Sequence, residues 1–407
     1  MPLKRHFSDR FYEEGKKVHG PIKALNPTTA YFPIEHVRPP PEEVAARLPA
    51  AWYVWRSRDN RKGRHAAVVH KENLETGKIQ TVPVTNTWKG ALRGIWKMVV
   101  RYPVWDVSYD VAVVFTLGSV IWCFNGSFVW LPLVAPSSEF KNEVRWGGGL
   151  TGFIGATVFE LGSVLLMLEA VNENRTDCFG WALERSISNQ HLRLSTAPGH
   201  ACRHHHFSRR SFLKAPSIAS DGKTTDDDGD STSERLWNWW PTWEELRTHY
   251  FREIGFLACF FQFWGATIFW IAGICGLPPI SDQLTGRLLD GVYWVPQVIG
   301  GSGFIISSWL FMLEVQTKWY LPNLSSLGWH MGVWNLVGAL GFTLCGALGF
   351  AAEKPAFAYA STLSTFIGSW AFLIGSLVQW YESLSKYPIS TAENVPKMMN
   401  GVSSPPA

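Results

Sequence analysis

Four glutamates stand in or at the ends of strongly apolar sequence: Glu160, Glu169, Glu314 and Glu382. A carboxyl in such a place can hold a cation, relay a proton or clasp two helices. Left ionised at the centre of a membrane helix it costs about 2.5–3.5 kcal/mol. Glu160 lies mid-run, so it must be neutral, partnered or hydrated, and burial would raise its pKa. A protonated Glu160 donating to Asn125 or Gln262 makes these three residues the candidate ion or proton site, with a polar interhelical clasp weighed equally. Glu169, Glu314 and Glu382 each close an apolar run. They can converge as an acidic ring that draws cations to a pore mouth. Lys318 and Lys386 follow Glu314 and Glu382 by four residues, a spacing that favours intrahelical pairing, so pairing at the membrane interface is the expectation.

Other chemistry is thinly represented. His200-Ala-Cys202-Arg-His204-His-His206 offers imidazole and thiolate donors, but its spacing closes no four-ligand site and Arg203, Arg209 and Arg210 repel cations, so no metal is expected. Arg185-Ser-Ile-Ser188 suits a basophilic kinase, and Thr224, ahead of Asp226-Asp-Asp-Gly-Asp230, an acidophilic one. His330 reads as an interfacial histidine. The chain shows no Gly-rich phosphate loop, no paired histidines on one intramembrane face and no nucleophile elbow. A non-enzymatic protein without cofactors is expected.

The elements that must position these groups follow from hydropathy. The 407 residues include 22 Trp and 25 Phe, and hydropathy averages near zero only because polar and apolar segments cancel. About 20 apolar residues span a bilayer core as a helix. Six stretches qualify, at about 111–134, 149–169, 254–276, 292–313, 329–351 and 360–381. An all-α, six-span membrane protein is expected. The first ten residues have no apolar core, so no cleaved signal is expected and the first span would direct insertion. Of the 37 Lys and Arg, 33 fall in the N-terminal 110 residues, the loop 172–253, the connection after the fourth span and the C-terminal tail. That bias places both termini in the cytoplasm. The net charge of +4 then reflects orientation, not nucleic-acid binding. Four of the six cysteines lie in spans, and Cys178 and Cys202 lie in the cytoplasmic loop, so disulfides are not expected.

Along the chain, residues 1–85 read as a partly disordered cytoplasmic region. Residues 86–110 hold a basic amphipathic helix, with Trp88, Leu92, Trp96 and Val100 beside Lys89, Arg93, Lys97 and Arg101, suited either to the inner leaflet or to packing on the bundle. Hairpins of spans occupy 111–171, 242–316 and 317–384. The cytoplasmic loop 172–241 is largely disordered and would recruit protein partners, and 385–407 is a tail. Trp237-Asn-Trp-Trp240 marks an interface, and Thr242-Trp-Glu-Glu245 has the form of a capping box opening a helix that runs as Glu244 to Phe251 into the third span.

Three segments align without a gap: Phe153-Ile-Gly155 to Glu169, Val298-Ile-Gly300 to Glu314, and Phe366-Ile-Gly368 to Glu382, each with a central Phe (Phe159, Phe304, Phe372). Before each comes a second pattern: Gly118-Ser119 to Trp122 to Gly126, Gly265-Ala266 to Phe269 to Gly273, and Gly338-Ala339 to Phe342 to Gly346. The unit is a pair of apolar segments used three times. Gly155 with Gly162, Gly300 with Ser307, and Gly368 with Gly375 form small-residue stripes for close helix approach. The glycine pairs of the odd-numbered spans, eight residues apart, should present two adjacent shallow faces.

On Leu117-Gly-Ser to Gly126, Phe153-Ile-Gly-Ala-Thr-Val-Phe-Glu-Leu-Gly-Ser163, Gly300-Gly-Ser-Gly-Phe-Ile-Ile-Ser307 and Phe366-Ile-Gly-Ser-Trp-Ala-Phe-Leu-Ile-Gly-Ser376, the chain resembles fungal multi-pass membrane proteins built from YrhK-like helical hairpins. The resemblance covers the membrane half of the chain and departs from the pattern at Ser307. It implies tandem hairpins in a bilayer and implies no activity.

Overall fold

The computed structural model describes residues 17–33, 51–64, 67–70, 87–173, 175–188 and 237–384. The N-terminal part carries a sheet that the all-α expectation did not include. Strands β1 (Lys17–His19), β2 (Thr29–Pro33), β3 (Ala51–Arg56) and β4 (Ala67–His70) pair antiparallel in sequence order, with Lys17 opposite Tyr31, Thr29 opposite Arg56 and Ala51 opposite His70. The β3 sequence Ala-Trp-Tyr-Val-Trp-Arg is rich in the aromatic and β-branched types that suit a pleated surface. From β3 the chain passes straight into a short helix, α1 (Ser57–Arg61).

Helix α2 (Trp88–Val100) starts where the amphipathic pattern predicts, with Thr87 Oγ1 accepting from the Gly90 N–H. Its Trp88, Leu92, Trp96 and Val100 face outward, exposed, while Gly94 lies against the Tyr381 ring. Six long helices follow, with shorter ones between them. These are α3 (Val107–Val134), α4 (Gly149–Val171), α5 (Phe179–Ser188), α6 (Trp243–Thr248) and α7 (Ile254–Cys275), then α8 (Pro278–Ser281), α9 (Gly286–Leu289), α10 (Val295–Glu314), α11 (Leu327–Gly349) and α12 (Pro355–Ser383). Two departures occur near α6. The capping box of Thr242 and Glu245 forms, but α6 stops at Thr248, and a 3-10 turn over Tyr250–Arg252 separates it from α7 because Tyr250 turns into the core. Trp237 is not interfacial: it is buried against Phe179 and Trp239, whereas Trp240 is exposed.

Helices α3, α4, α7, α10, α11 and α12, with α4 and α10 extended by the turns that precede them, are long and apolar enough to cross a membrane. Their outer faces expose Leu117, Phe124, Leu161, Trp264, Ile299, Trp309, Leu344 and Ile367. Their inner faces bury small and polar residues, among them Ser119, Ser163, Ser307, Ser308 and Ser369. Ser119, Ser163, Ser308 and Ser369 return their hydroxyl protons to the carbonyl four residues earlier, while the Ser307 hydroxyl makes no hydrogen bond. An apolar exterior over a polar, small-residue interior is matched to lipid as solvent. The chain is a multi-pass membrane protein.

The six helices close into a ring: α3 packs on α4 and α12, α4 on α7, α7 on α10, α10 on α11 and α11 on α12. Trp122, Phe159, Phe269, Phe304, Phe342 and Phe372, the aromatics aligned in the sequence, all converge in one buried cluster on the ring axis. Ring centroids of Trp122 and Phe342 are 4.8 Å apart and those of Phe159 and Phe372 5.5 Å, both near perpendicular, the edge-to-face geometry aromatic pairs prefer.

The glycines use two faces for two purposes. Gly118 abuts Phe159, Gly155 abuts Trp122, Gly338 abuts Phe372, and Gly265 and Gly300 rest on each other's backbone, all within a hairpin, as do Gly368 on the Gly338 carbonyl, Gly162 on Phe115 and Gly375 on Asn335. Gly126 instead meets Phe366, Gly273 meets Ala156, and Gly346 meets Gln297 and Val298, each joining one hairpin to the next.

Candidate functional site: a basic plug in a carboxylate socket

Helices α4, α10 and α12 end at one face of the ring, and there Glu169, Glu314 and Glu382 are 0%, 2% and 6% exposed. No lysine of their own helices meets them. The expected Glu314–Lys318 pair does not form because α10 ends at Glu314, and Lys318 instead sits over the Tyr320 ring. Lys386 lies outside the described residues.

The partners come from α1. Positions 58, 61 and 62 share a face of a helix, and Gly63, at φ +60°, turns the chain back so that Arg64 N–H bonds to the Asp59 carbonyl and its side chain returns to the same face. Arg61 sits at the centre. Its Nε and Nη2 donate to Glu314 Oε1 and Oε2 at 3.3 and 2.9 Å, its Nη1 donates to Glu169 Oε1, and its guanidinium lies 5.1 Å from the Phe311 centroid. Arg58 forks onto Glu382 through Nε at 3.2 Å and Nη2 at 2.6 Å. Arg64 Nη1 donates to Glu382 Oε1 at 2.7 Å and Nη2 to the Glu382 carbonyl at 2.6 Å. Lys62 Nζ is 4.0 Å from Glu169 Oε2. Arginine suits this because its rigid fork matches a carboxylate with two parallel bonds.

Room for the plug is made by glycines that the sequence reading did not single out. A Cβ at Gly255 would stand 2.2 Å from Glu314 Oε1, and one at Gly328 would stand 2.5 Å from Arg58 Nε. Gly255 and Gly328 precede Gly265 and Gly338 by the same ten residues, the one sequence signal that they serve a common purpose.

Burial pulls Lys62 down to about 8 against the opposing pull of Glu169. Burial acts the same way on Arg61, but the Glu314 and Glu169 carboxylates prevail and hold it well above the ordinary arginine value. A latch beside the plug ties the sheet to α7. Glu253 accepts from Asn26 Nδ2 at 2.6 Å and lies 3.5 Å from Ser57 Oγ, while Asn26 N–H donates to the Arg252 carbonyl at 2.8 Å.

Desolvation, with Glu173 adding to it, pushes Glu253 up to about 8 despite those hydrogen bonds. The folded protein therefore binds one more proton than the unfolded chain between the ordinary carboxylate value of about 4.3 and about 8, and stability falls as pH rises through that window. Glu253→Gln should keep the Asn26 bond and remove the titration. Thermal melts of the detergent-solubilised variant are expected to exceed wild type by a margin that grows from pH 5 to pH 8; an equal margin at both would contradict this assignment.

The other candidates are placed apart. Glu160 Oε1 accepts from Thr267 Oγ1 at 2.9 Å, an α4–α7 contact away from the aromatic axis, and Oε2 has no hydrogen-bond partner. Asn125 Nδ2 donates instead to the Gly148 carbonyl at 2.6 Å and to Thr151 Oγ1 at 3.1 Å. Gln262 faces a chamber beneath the plug. Glu160, Asn125 and Gln262 are not brought together. His330 Nε2 meets the Leu324 carbonyl at 2.8 Å. The His200–His206 cluster, Thr224 and the Asp226–Asp230 run lie outside the described residues, and α5 occupies part of the loop expected to lack structure.

Between the plug and the aromatic cluster lies a chamber of about 30 Å³, lined by Arg58, Arg61, Lys62, Gln262, Asn335 and Gln379 on its polar side and by Phe115, Phe159, Leu166, Phe311 and Phe372 on the other. Beyond it the aromatic cluster leaves no space for water. One end of the axis is thus capped by ion pairs and its middle filled by rings. No family model, curated protein or solved structure matches the chain.

Proposed function

We propose that this is a non-enzymatic regulatory membrane protein in which a cytoplasmic N-terminal domain is locked into the inner end of a six-helix bundle and holds it shut. The observation that carries the reading is Arg61, bonded at once to Glu314 of α10 and Glu169 of α4, so that one side chain ties two hairpins to the sheet domain. The bias of Lys and Arg toward the plug side supports both termini in the cytoplasm, and the thrice-recurring glycine contacts support a build from three similar hairpins. Residues 172–241 and the sheet are then the surfaces offered to cytoplasmic proteins.

A carrier reading survives on one observation, the unpartnered Oε2 of Glu160. Reconstitution separates the two. Under the proposal, sealed proteoliposomes carry no proton or potassium flux, and protease applied to the cytoplasmic face alone cleaves within 190–236. A cation flux abolished by Glu160→Gln would establish the carrier, and cleavage from the opposite face would reverse the topology.

A further inference from the structure

The charged lining of the chamber is wholly cationic. Arg58, Arg61 and Lys62 border it, whereas Glu169, Glu314 and Glu382 do not. Two of these cations keep an unused donor: Lys62 Nζ and Arg58 Nη1 are buried and make no hydrogen bond, their nearest carboxylate oxygens being 4.0 and 3.6 Å away. Both side chains are almost sealed from solvent, with Lys62 1% and Arg58 3% exposed. Among the described residues, the plug's four buried cations (Arg58, Arg61, Lys62, Arg64) face three socket carboxylates and the plug's own Asp59. Asp59 at the rim answers Arg64 at 3.6 Å, and Arg58 and Arg61 hold the socket acids in forked bonds. Lys62 has Glu169 Oε2 at 4.0 Å but makes no hydrogen bond.

The rest of the lining fits the same ligand. Carboxamides of Gln262, Asn335 and Gln379 offer neutral N–H donors, and the remainder is mostly apolar, with Phe115, Phe311 and Met331 among its walls beside Ser119 and Ser376. Donors of both kinds beside apolar walls suit a weakly hydrated anion, which tolerates carbon contact better than a strongly hydrated cation does. A space of about 30 Å³ admits one monatomic anion or a pair of waters and excludes phosphate or a carboxylic acid.

We propose that the chamber is a binding site for a single halide, chloride in the cell, held by Lys62 and Arg58 and by the carboxamides of Gln262, Asn335 and Gln379. Bound there, the anion gives Lys62 Nζ and Arg58 Nη1 the acceptor they lack and stabilises the docked plug. The depressed proton affinity of Lys62, caused by burial, agrees with an ammonium that makes no hydrogen bond.

The test uses the full-length protein in detergent, melted by tryptophan fluorescence in sodium chloride, bromide or gluconate at constant ionic strength. A saturable rise in Tm with chloride and bromide but not gluconate is expected, and bromide should give an anomalous diffraction peak in the chamber. Gln379→Leu, which leaves every plug ion pair in place, should make the halide dependence about tenfold weaker, the loss of one hydrogen bond to a charged partner. Lys62→Met should abolish the dependence and raise the Tm in gluconate. Equal melting in halide and gluconate, the result for a chamber that holds only water, overturns the proposal. So does a halide shift that Gln379→Leu leaves unchanged.

Discussion

Glu314→Gln is expected to cost about 3–5 kcal/mol, the range for removing one partner of a buried ion pair. The substitution keeps the volume of the side chain and removes only its charge. Arg61, 2% exposed, then retains Glu169 but loses its forked partner, and Arg58 loses the carboxylate 3.6 Å from its Nη1. An arginine in that position cannot shed its proton to escape, so the penalty is borne by the fold. The expected readout is a large fall in melting temperature together with faster hydrogen exchange over residues 57–64. A double variant, Arg61→Met with Glu314→Leu, removes both of these charges and should recover part of the loss, because well-packed apolar residues often replace a buried pair at little cost, while Glu169 is left with Lys62 4.0 Å away. If Glu314→Gln melts within a degree of wild type, or the double variant is worse than the single one, the plug is not held by these charges.

Gly300→Leu is the second large effect, and its cause is purely steric. A Cβ on Gly300 would lie 2.7 Å from the Gly265 carbonyl oxygen and 2.9 Å from the Phe269 backbone nitrogen. Both obstacles are backbone, so no rotamer change relieves them and α7 and α10 must separate along their length. Overpacking of this kind costs about 1–3 kcal/mol and occasionally more, and the upper end is expected because the aromatic pair Phe269 and Phe304 is displaced with it. Gly291→Leu provides the control, since a Cβ there meets nothing within 4 Å. Loss of the monodisperse peak with Gly300→Leu and retention with Gly291→Leu is the expected pattern; equal behaviour would mean that α7 and α10 do not need their close approach.

Much of the membrane part was legible because its determinants are local. Length and apolarity of each run locate a span, and the equal spacing from Gly155, Gly300 and Gly368 to Glu169, Glu314 and Glu382 puts three acids at the same depth. The role of 57–64 was not legible for the opposite reason. Its partners lie 108, 253 and 324 residues away, and a short basic stretch looks alike whether it is solvated or buried. The available signal was Arg58, Arg61 and Lys62 at spacings of three and four, ahead of Gly63. Depth alone did not show which way Glu160 faces. It follows Phe159, which points at the axis, and one residue along a helix is a rotation of about 100°, enough to turn the carboxyl from the axis toward the α4–α7 seam. Lys318 failed as a partner because an i,i+4 pair requires a helix that continues, and α10 does not.

The seam between α3 and α12 has a consequence for biosynthesis. The ring closes only when the last span meets the first, and Arg58 and Arg64 take their carboxylate from that last span, 324 and 318 residues downstream. During synthesis the basic helix is made first and waits for the three acids, which arrive one hairpin at a time. A chain stopped before Glu382 leaves Arg58 and Arg64 with only Glu314 and Asp59 at 3.6 Å in place of the carboxylate they bond, so the N-terminal domain of an incomplete product is held more weakly. Full docking of the first domain therefore depends on insertion of the final helix.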